Sequence, residues 1–432
     1  MDTPEGFTYL SETICLSHII DPVIAELVAN EANQRACSYC ERTGAPDEDM
    51  FAVSMDFVGR LVFEAATWLY HDGYDEFFHE GWPEQYDTDY VVGEVANGAF
   101  EATFCDEVVS HISEAISTPY AWVDSRLHED FLFSWDSFAQ TVKYQSRFVY
   151  IGARERPDRG NEPPARVSQF LDGLAAYVQE DMLTSIPAGE MLYRARMSED
   201  GFAFLHEARK DPAMHLGPAP AGKAAAGRLN PEGVGLYYGA TTVDVAVKET
   251  ALHSPYDDAV VGGFIVRRPL VILDFTKQPA LPSIFDRSKR HEFLFAKFAN
   301  DFEERLTQSV RLTGAERIEY VVTQIIGEYF RWAPEKKLDG IAWKSHLLLA
   351  GEQGKNILVW ASAEDVRSDP PPEEEDPASF AKWERTLPRP TPTLTLSHRN
   401  VSVYRARRLV EVSGPHYSGD DDPAPMFMDP WL

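Results

Sequence analysis

The stretch Ala226-Gly227-Arg228-Leu229-Asn230-Pro231-Glu232-Gly233, followed by Leu236-Tyr237-Tyr238-Gly239-Ala240 and the helical run Val243–Leu252, decides how the chain is read. Glycine and proline make the first segment a turn-rich loop that carries an arginine. The second has the aromatic content of a strand and ends in small residues. Thr241 or Thr242 supplies an N-cap for the helix, in which Glu249 follows Ala246 and Val247. Loop, strand and capped helix in close succession predict an α+β region.

The same texture extends outward in both directions. Runs rich in β-formers occur at Leu192–Arg196, Val260–Arg267, Leu270–Phe275, Gly340–Trp343 and Asn356–Trp360, with helical patterns at Ser288–Leu306 and Tyr320–Trp332. An α+β domain over 190–362 follows. In Leu192-Tyr193-Arg194-Ala195-Arg196 the two arginines share one strand face. The segment Leu338-Asp339-Gly340-Ile341-Ala342-Trp343-Lys344-Ser345 reads as a strand ending in a hydroxyl. Upstream, 1–150 reads as a helical module with helices near Asp49–Tyr70, Asp106–Ile116 and Trp135–Tyr144. Residues 151–189 supply a Pro- and Gly-punctuated linker, Arg154–Pro164, and a helix from Ala165 to Leu183. Downstream, 363–432 opens on the acidic spacer Ser368–Pro377 and continues as a carboxy-terminal extension, in which Val401–Val412 offers a further strand.

Composition narrows the classes of partner. The 432 residues carry 69 acidic and 40 basic side chains, a formal charge of −29. A surface of that sign is a poor match to a phosphate backbone, so nucleic acid is not expected as the main partner. A small anion held by two or three cations remains compatible. No basic-then-apolar leader and no long apolar run are present, which predicts a cytoplasmic chain without membrane attachment. Four cysteines do not make a disulfide scaffold at this length.

Three of those cysteines lie near a histidine, as Cys15-x-x-His18 and Cys37-x-x-Cys40. Asp21-Pro22 between them gives an N-cap and a proline at the first helical position. Tetrahedral Zn²⁺ wants four N or S ligands, and a two-residue gap lets one turn present both members of a pair. The plainer reading is buried small cysteines beside an incidental histidine. Two pairs flanking a capped helix favour a closed, structural Zn²⁺ site. Cys105 stands apart and reads as a core residue.

The ordered set Gly227-Arg228-Leu229-Asn230-Pro231-x-Gly233, Tyr238, Ala246-x-x-Glu249, Asp339-Gly340-Ile341, Ser345 and Asn356-Ile357-Leu358-Val359-Trp360 resembles the RES domain, named for its Arg, Glu and Ser residues. Tyr237 and Tyr238 both compete for the family's tyrosine, with the ungapped spacing favouring Tyr238; Arg194 and Arg196 compete for its first arginine. The front of the chain resembles the HEPN/RES amino-terminal module, with His18 where a cysteine is expected. That substitution keeps a competent zinc ligand.

The resemblance implies an ADP-ribosyltransferase-like fold and an NAD+-consuming enzyme of toxin type that breaks the nicotinamide–ribose bond. Arg228 and Arg194 would grip the pyrophosphate as planar bidentate donors. Glu249 would stabilise the oxocarbenium-like ribose. Tyr238 would offer a ring face or phenol to nicotinamide, and Ser345 a hydrogen bond to nicotinamide or ribose. Water, inorganic phosphate or a protein side chain can each serve as acceptor; the last makes the chain a protein ADP-ribosyltransferase. An antitoxin or immunity protein and a homo-oligomer are the partners such a toxin implies, or the long front module restrains the domain in cis.

Two other classes compete. Arg209 and His215 have the spacing of an RNA-cleaving HEPN pair, but Pro212 interrupts any helix there. A zinc-dependent interaction protein with a degenerate enzyme domain would not need the complete Arg–Tyr–Glu–Ser set. No GxGxxG fingerprint, P-loop or G-x-S-x-G elbow is present, so NAD+ is expected as a cleft-bound substrate and not as a Rossmann-bound carrier.

Overall fold

The computed structural model describes residues 6–40, 42–72, 85–116, 121–124, 135–148, 162–178, 182–252, 254–307, 316–349, 351–370 and 391–407. The linker up to residue 161, most of the acidic spacer and the end of the chain lie outside these residues.

In the front module β1 (Thr13–Cys15) pairs antiparallel with β2 (Ala52–Ser54). Between them runs α1 (Pro22–Glu31), opened as the sequence predicts: Asp21 Oδ1 accepts from the N–H groups of Val23 and Ile24 at 2.9 and 3.0 Å. The expected helix from Asp49 begins later, as α2 (Met55–Leu69), because pairing with β1 draws Ala52–Ser54 into a strand before Ser54 caps the helix. A short strand β3 (Tyr70–Asp72), the helices α3 (Thr88–Ala96) and α4 (Ala102–Ala115), and β4 (Trp122–Asp124), paired with β3, complete a mostly helical module. The helices α5 (Trp135–Gln140) and α6 (Pro163–Tyr177) then lead to the sheet.

That sheet contains β5 (Leu183–Ile186), β6 (Met191–Ser198), β7 (Tyr237–Ala240), β8 (Asp258–Val266), β9 (Leu270–Asp274), β10 (Gly340–Lys344), β11 (Lys355–Val359), β12 (Val366–Ser368) and β13 (Leu394–Arg405). Their order is β12-β13-β8-β6-β7-β11-β10-β9-β5, with parallel pairing only at β12–β13 and β9–β10. The sheet therefore draws on strands either side of 190–362. Helices α7 (Gly201–Lys210) and α8 (Pro212–Leu216) follow β6, and α9 (Val243–Ala251) links β7 to β8. Pro212 opens α8, so Arg209 and His215 sit on separate helices, and Arg209 donates to the Val401 carbonyl.

Strand alternation sorts the core. Leu273, Ile341, Trp343 and Leu358 pack with α6 and with α10 (Arg290–Thr307) and α11 (Glu316–Trp332). Ile272, Ala342 and Ile357 face the opposite way, into a core shared with Leu192, Tyr237 and Leu216. Gly340 is required where it stands, since a Cβ there would come within 2.0 Å of the Leu358 carbonyl oxygen. One constraint bears directly on function: β6 and β7, the two central strands, share a single register pair, Tyr193 with Ala240.

The front module packs against the start of α10. Ile284, Phe285 and Phe293 enter its apolar core. Glu64 pairs with both Arg287 and Arg290, and Lys297 pairs with Glu94 at 2.8 Å. Burial of the apolar side chains carries most of this contact, because partly exposed ion pairs are worth little.

Asp274 ties three strands together. Its buried carboxylate accepts from Lys355 Nζ at 2.6 Å, Thr184 Oγ1 at 2.9 Å and Thr276 Oγ1 at 2.7 Å. Burial pushes this carboxyl up, but the hydrogen bonds from Lys355, Thr276 and Thr184 outweigh it and hold it below the usual carboxylate range. The stabilisation is thus present above the ordinary carboxylate pKa of about 4 and lost as pH falls through the lower folded value. Lys355→Met should cost about 2–3 kcal/mol at pH 7, less than for a fully buried pair because Lys355 is 33% exposed. Urea denaturation should show that deficit shrinking below about pH 4.

Candidate active site and metal cluster

A cleft of about 620 Å³ opens where β6 and β7 part. Arg194 lines it from β6, Arg228 and Asn230 from the loop before β7, Tyr238 from β7, Glu249 from α9, and Trp343 and Asn356 from β10 and β11.

Helix spacing explains the glutamate. Ala246, Glu249 and Thr250 lie three and four residues apart, so they share the face of α9 that lines the cleft. Ser345 Oγ and Asn356 Nδ2 both donate to Glu249 Oε1, each at 2.7 Å. No hydrogen bond to Oε2 occurs among the described residues. Ser345 is 1% exposed, so its hydroxyl acts on the cleft through this carboxylate. Neither Asn356 nor Trp343 was a site candidate from sequence, and the apolar strand setting of both gives no local signal.

The arginine loop is held from several sides. Asn230 Nδ2 donates to the carbonyls of Ala225 and Val234 at 3.0 and 2.8 Å, and its Oδ1 accepts from the Tyr238 hydroxyl at 2.8 Å. That hydroxyl also accepts from Leu229 N–H at 3.0 Å. The phenol is thus committed to the loop, leaving the ring as the part that lines the cleft. A Cβ on Gly227 would lie 2.3 Å from Asn230 Oδ1, which explains the glycine before Arg228. From α11, Thr323 donates to the Arg228 carbonyl, and Gln324 Nε2 to those of Gly227 and Asn230 at 2.8 and 2.9 Å.

Arg228 Nη1 donates to the Arg305 carbonyl at 3.2 Å and to that of Leu306, at the negative end of α10. Arg194 Nη1 is enclosed without a hydrogen-bond partner among the described residues. Burial pulls both guanidinium groups down, Arg194 to about 10, so each stays charged at neutral pH. Neither has a carboxylate ion-pair partner among the described residues. Two enclosed cations without counter-charge make an anion receptor. The structure also separates the sequence alternatives: Arg196 is exposed, and Tyr237 is buried against Phe264 with its hydroxyl on the Leu192 carbonyl.

In the front module Cys15, His18, Cys37 and Cys40 present ligand atoms all within 4.8 Å of one another. Cys15 Sγ and Cys40 Sγ are 3.9 Å apart, against roughly 3.8 Å expected for two sulfurs on tetrahedral zinc. His18 is buried; Glu101 Oε2 lies 3.4 Å from its Nδ1, and Nε2 has no partner among the described residues. A carboxylate beside one ring nitrogen and a free second nitrogen is the arrangement of a metal-binding histidine. Burial pushes the Cys37 thiol up to about 11. Burial also raises Cys40, but hydrogen bonds from the Arg42 backbone and from His18, Cys37 and Cys15 outweigh it and bring that thiol to about 7. Cys105, on α4, is half-buried and outside the cluster.

With this geometry in hand, comparison with known families is decisive. Residues 191–381 match the RES domain, and residues 30–155 match HEPN/RES N-terminal domain 1. The chain carries a RES domain behind a HEPN/RES amino-terminal domain. No curated protein and no solved structure matches the chain significantly. The RES domain supports a toxin-like, NAD-related function at the level of the family. Among the described residues no helix is long and apolar enough to cross a membrane.

If the Tyr238 hydroxyl braces the RES-domain loop, Tyr238→Phe should lower stability by about 1–2 kcal/mol, the cost of unpairing Leu229 N–H and Asn230 Oδ1. Thermal melts of the two proteins check this.

Proposed function

We propose that the cleft binds NAD+ and breaks its nicotinamide–ribose bond, with water or inorganic phosphate as acceptor, as a toxin or defence effector of the cytoplasm. The observation that carries the reading is one cleft holding two uncompensated arginines and a carboxylate fixed through one oxygen. Arg194 and Arg228 suit a pyrophosphate, each guanidinium offering parallel N–H donors. Glu249 turns Oε2 toward the sugar. As the C–N bond breaks, its electron pair leaves on the pyridine nitrogen, which becomes neutral nicotinamide. The positive charge passes to the ribose, where a pre-positioned carboxylate stabilises it without reorganising. The acceptor oxygen then bonds to that carbon and sheds its proton to solvent. A protein nucleophile in the same place would give ADP-ribosyl transfer. An antitoxin or immunity protein is the partner expected to restrain such an activity.

Glu249→Gln keeps the size of the side chain and removes the charge. It should lower the rate of nicotinamide release at least 100-fold with an unchanged circular dichroism spectrum. Ser345→Ala and Asn356→Ala should each lower it less, about 10-fold, since each removes one of two donors to Oε1. Chromatographic assay of nicotinamide checks all three, and an Glu249→Gln variant as fast as the parent would remove the glutamate from the mechanism.

We further propose that Cys15, His18, Cys37 and Cys40 bind one structural Zn²⁺. Four protein ligands close the coordination shell, so the ion's part is to stabilise the fold. Elemental analysis should find about one zinc per chain. Cys37→Ser should lose it and melt well below the parent. A metal-free parent of equal stability would refute the site.

A further inference from the structure

Trp343 stands on β10 directly opposite Asn356 on β11, and two residues before Ser345. Cross-strand partners and i, i+2 neighbours share a sheet face, so indole, amide and hydroxyl form one polar group on the face that meets Glu249. The amide and the hydroxyl are both spent on Glu249 Oε1. The indole is not. Trp343 is 5% exposed and lines the cleft, yet its enclosed Nε1 has no hydrogen-bond partner among the described residues. Buried tryptophans ordinarily pair this donor, and leaving it unpaired is costly.

Resting on the reading of the cleft as a dinucleotide site, we infer that Trp343 Nε1–H donates to a neutral acceptor oxygen at the end of the dinucleotide that is cleaved. The indole is a donor only, so the partner must be an acceptor. The phosphates fall to Arg194 and Arg228. The indole lies on the Glu249 side, beside the nicotinamide and its ribose. Two oxygens there have the right chemistry: the carboxamide carbonyl of the base and a hydroxyl of its ribose. Either contact orients the reacting nucleoside against Glu249, and a site that hydrogen-bonds an oxygen rejects analogues lacking it. Trp343 is then a substrate-contacting residue as well as part of the core.

Trp343→Phe keeps an aromatic ring and removes the donor. Calorimetric titration of the full-length parent and variant with ADP-ribose and, separately, with nicotinamide reads the contact. One of the two ligands should bind the variant roughly 3- to 10-fold more weakly, the loss of a single net hydrogen bond. The melting temperature without ligand should be unchanged or higher, because an unpaired donor has been removed. Weakening for nicotinamide alone places the acceptor in the base; weakening for ADP-ribose alone places it in the ribose. Equal affinity for both ligands in the two proteins overturns the inference. Weakening of both together with a lower melting temperature marks the indole as structural and overturns it too. If the parent binds neither ligand, the dinucleotide reading itself fails and this inference falls with it.

Discussion

The two hydrogen bonds that converge on Glu249 Oε1 are the constraint on which the site depends. Their donors come from different strands, and the acceptor comes from a helix 96 residues before Ser345 and 107 before Asn356. They can meet only if β10 and β11 pair in the observed register and α9 packs at the right height over the sheet. A slip of one residue would turn both donors to the opposite face. The buried core of Ile341, Leu358 and Trp343 enforces that register. Packing energy and site geometry are therefore set by the same alternation.

The second constraint is electrostatic. A chain of formal charge −29 holds two enclosed arginines without a carboxylate to neutralise them. Arg228 is partly compensated by the carbonyls at the end of α10, and Arg194 by little. Such an arrangement costs folding free energy unless an anion repays it on binding. The same helix begins against the zinc-cluster module and ends on Arg228, so the two domains are joined through an element that also shapes the cleft.

Much of the site is legible in sequence because it rests on local rules. Gly227 precedes Arg228 for want of room, Ala246 precedes Glu249 by helix spacing, and Asp21-Pro22 opens α1. The paired Cys and His residues signal their cluster by spacing alone. What depends on long-range pairing is not legible. The start of α2 gives way to β2 because a distant strand claims Ala52–Ser54. Asn356 and Trp343 sit in apolar strands that advertise only burial, and Ser345 works through Glu249, a contact that sequence spacing cannot disclose. The phenol of Tyr238 braces the loop, a role that follows only once Asn230 and Leu229 are brought beneath it.

Mass-spectrometric analysis of NAD+ incubated with the purified full-length protein, with and without inorganic phosphate, tests the central claim most directly. The account predicts free nicotinamide together with ADP-ribose or its phosphorylated counterpart in equal amount. NAD+ recovered intact from a folded protein that binds ADP-ribose in the cleft would contradict it.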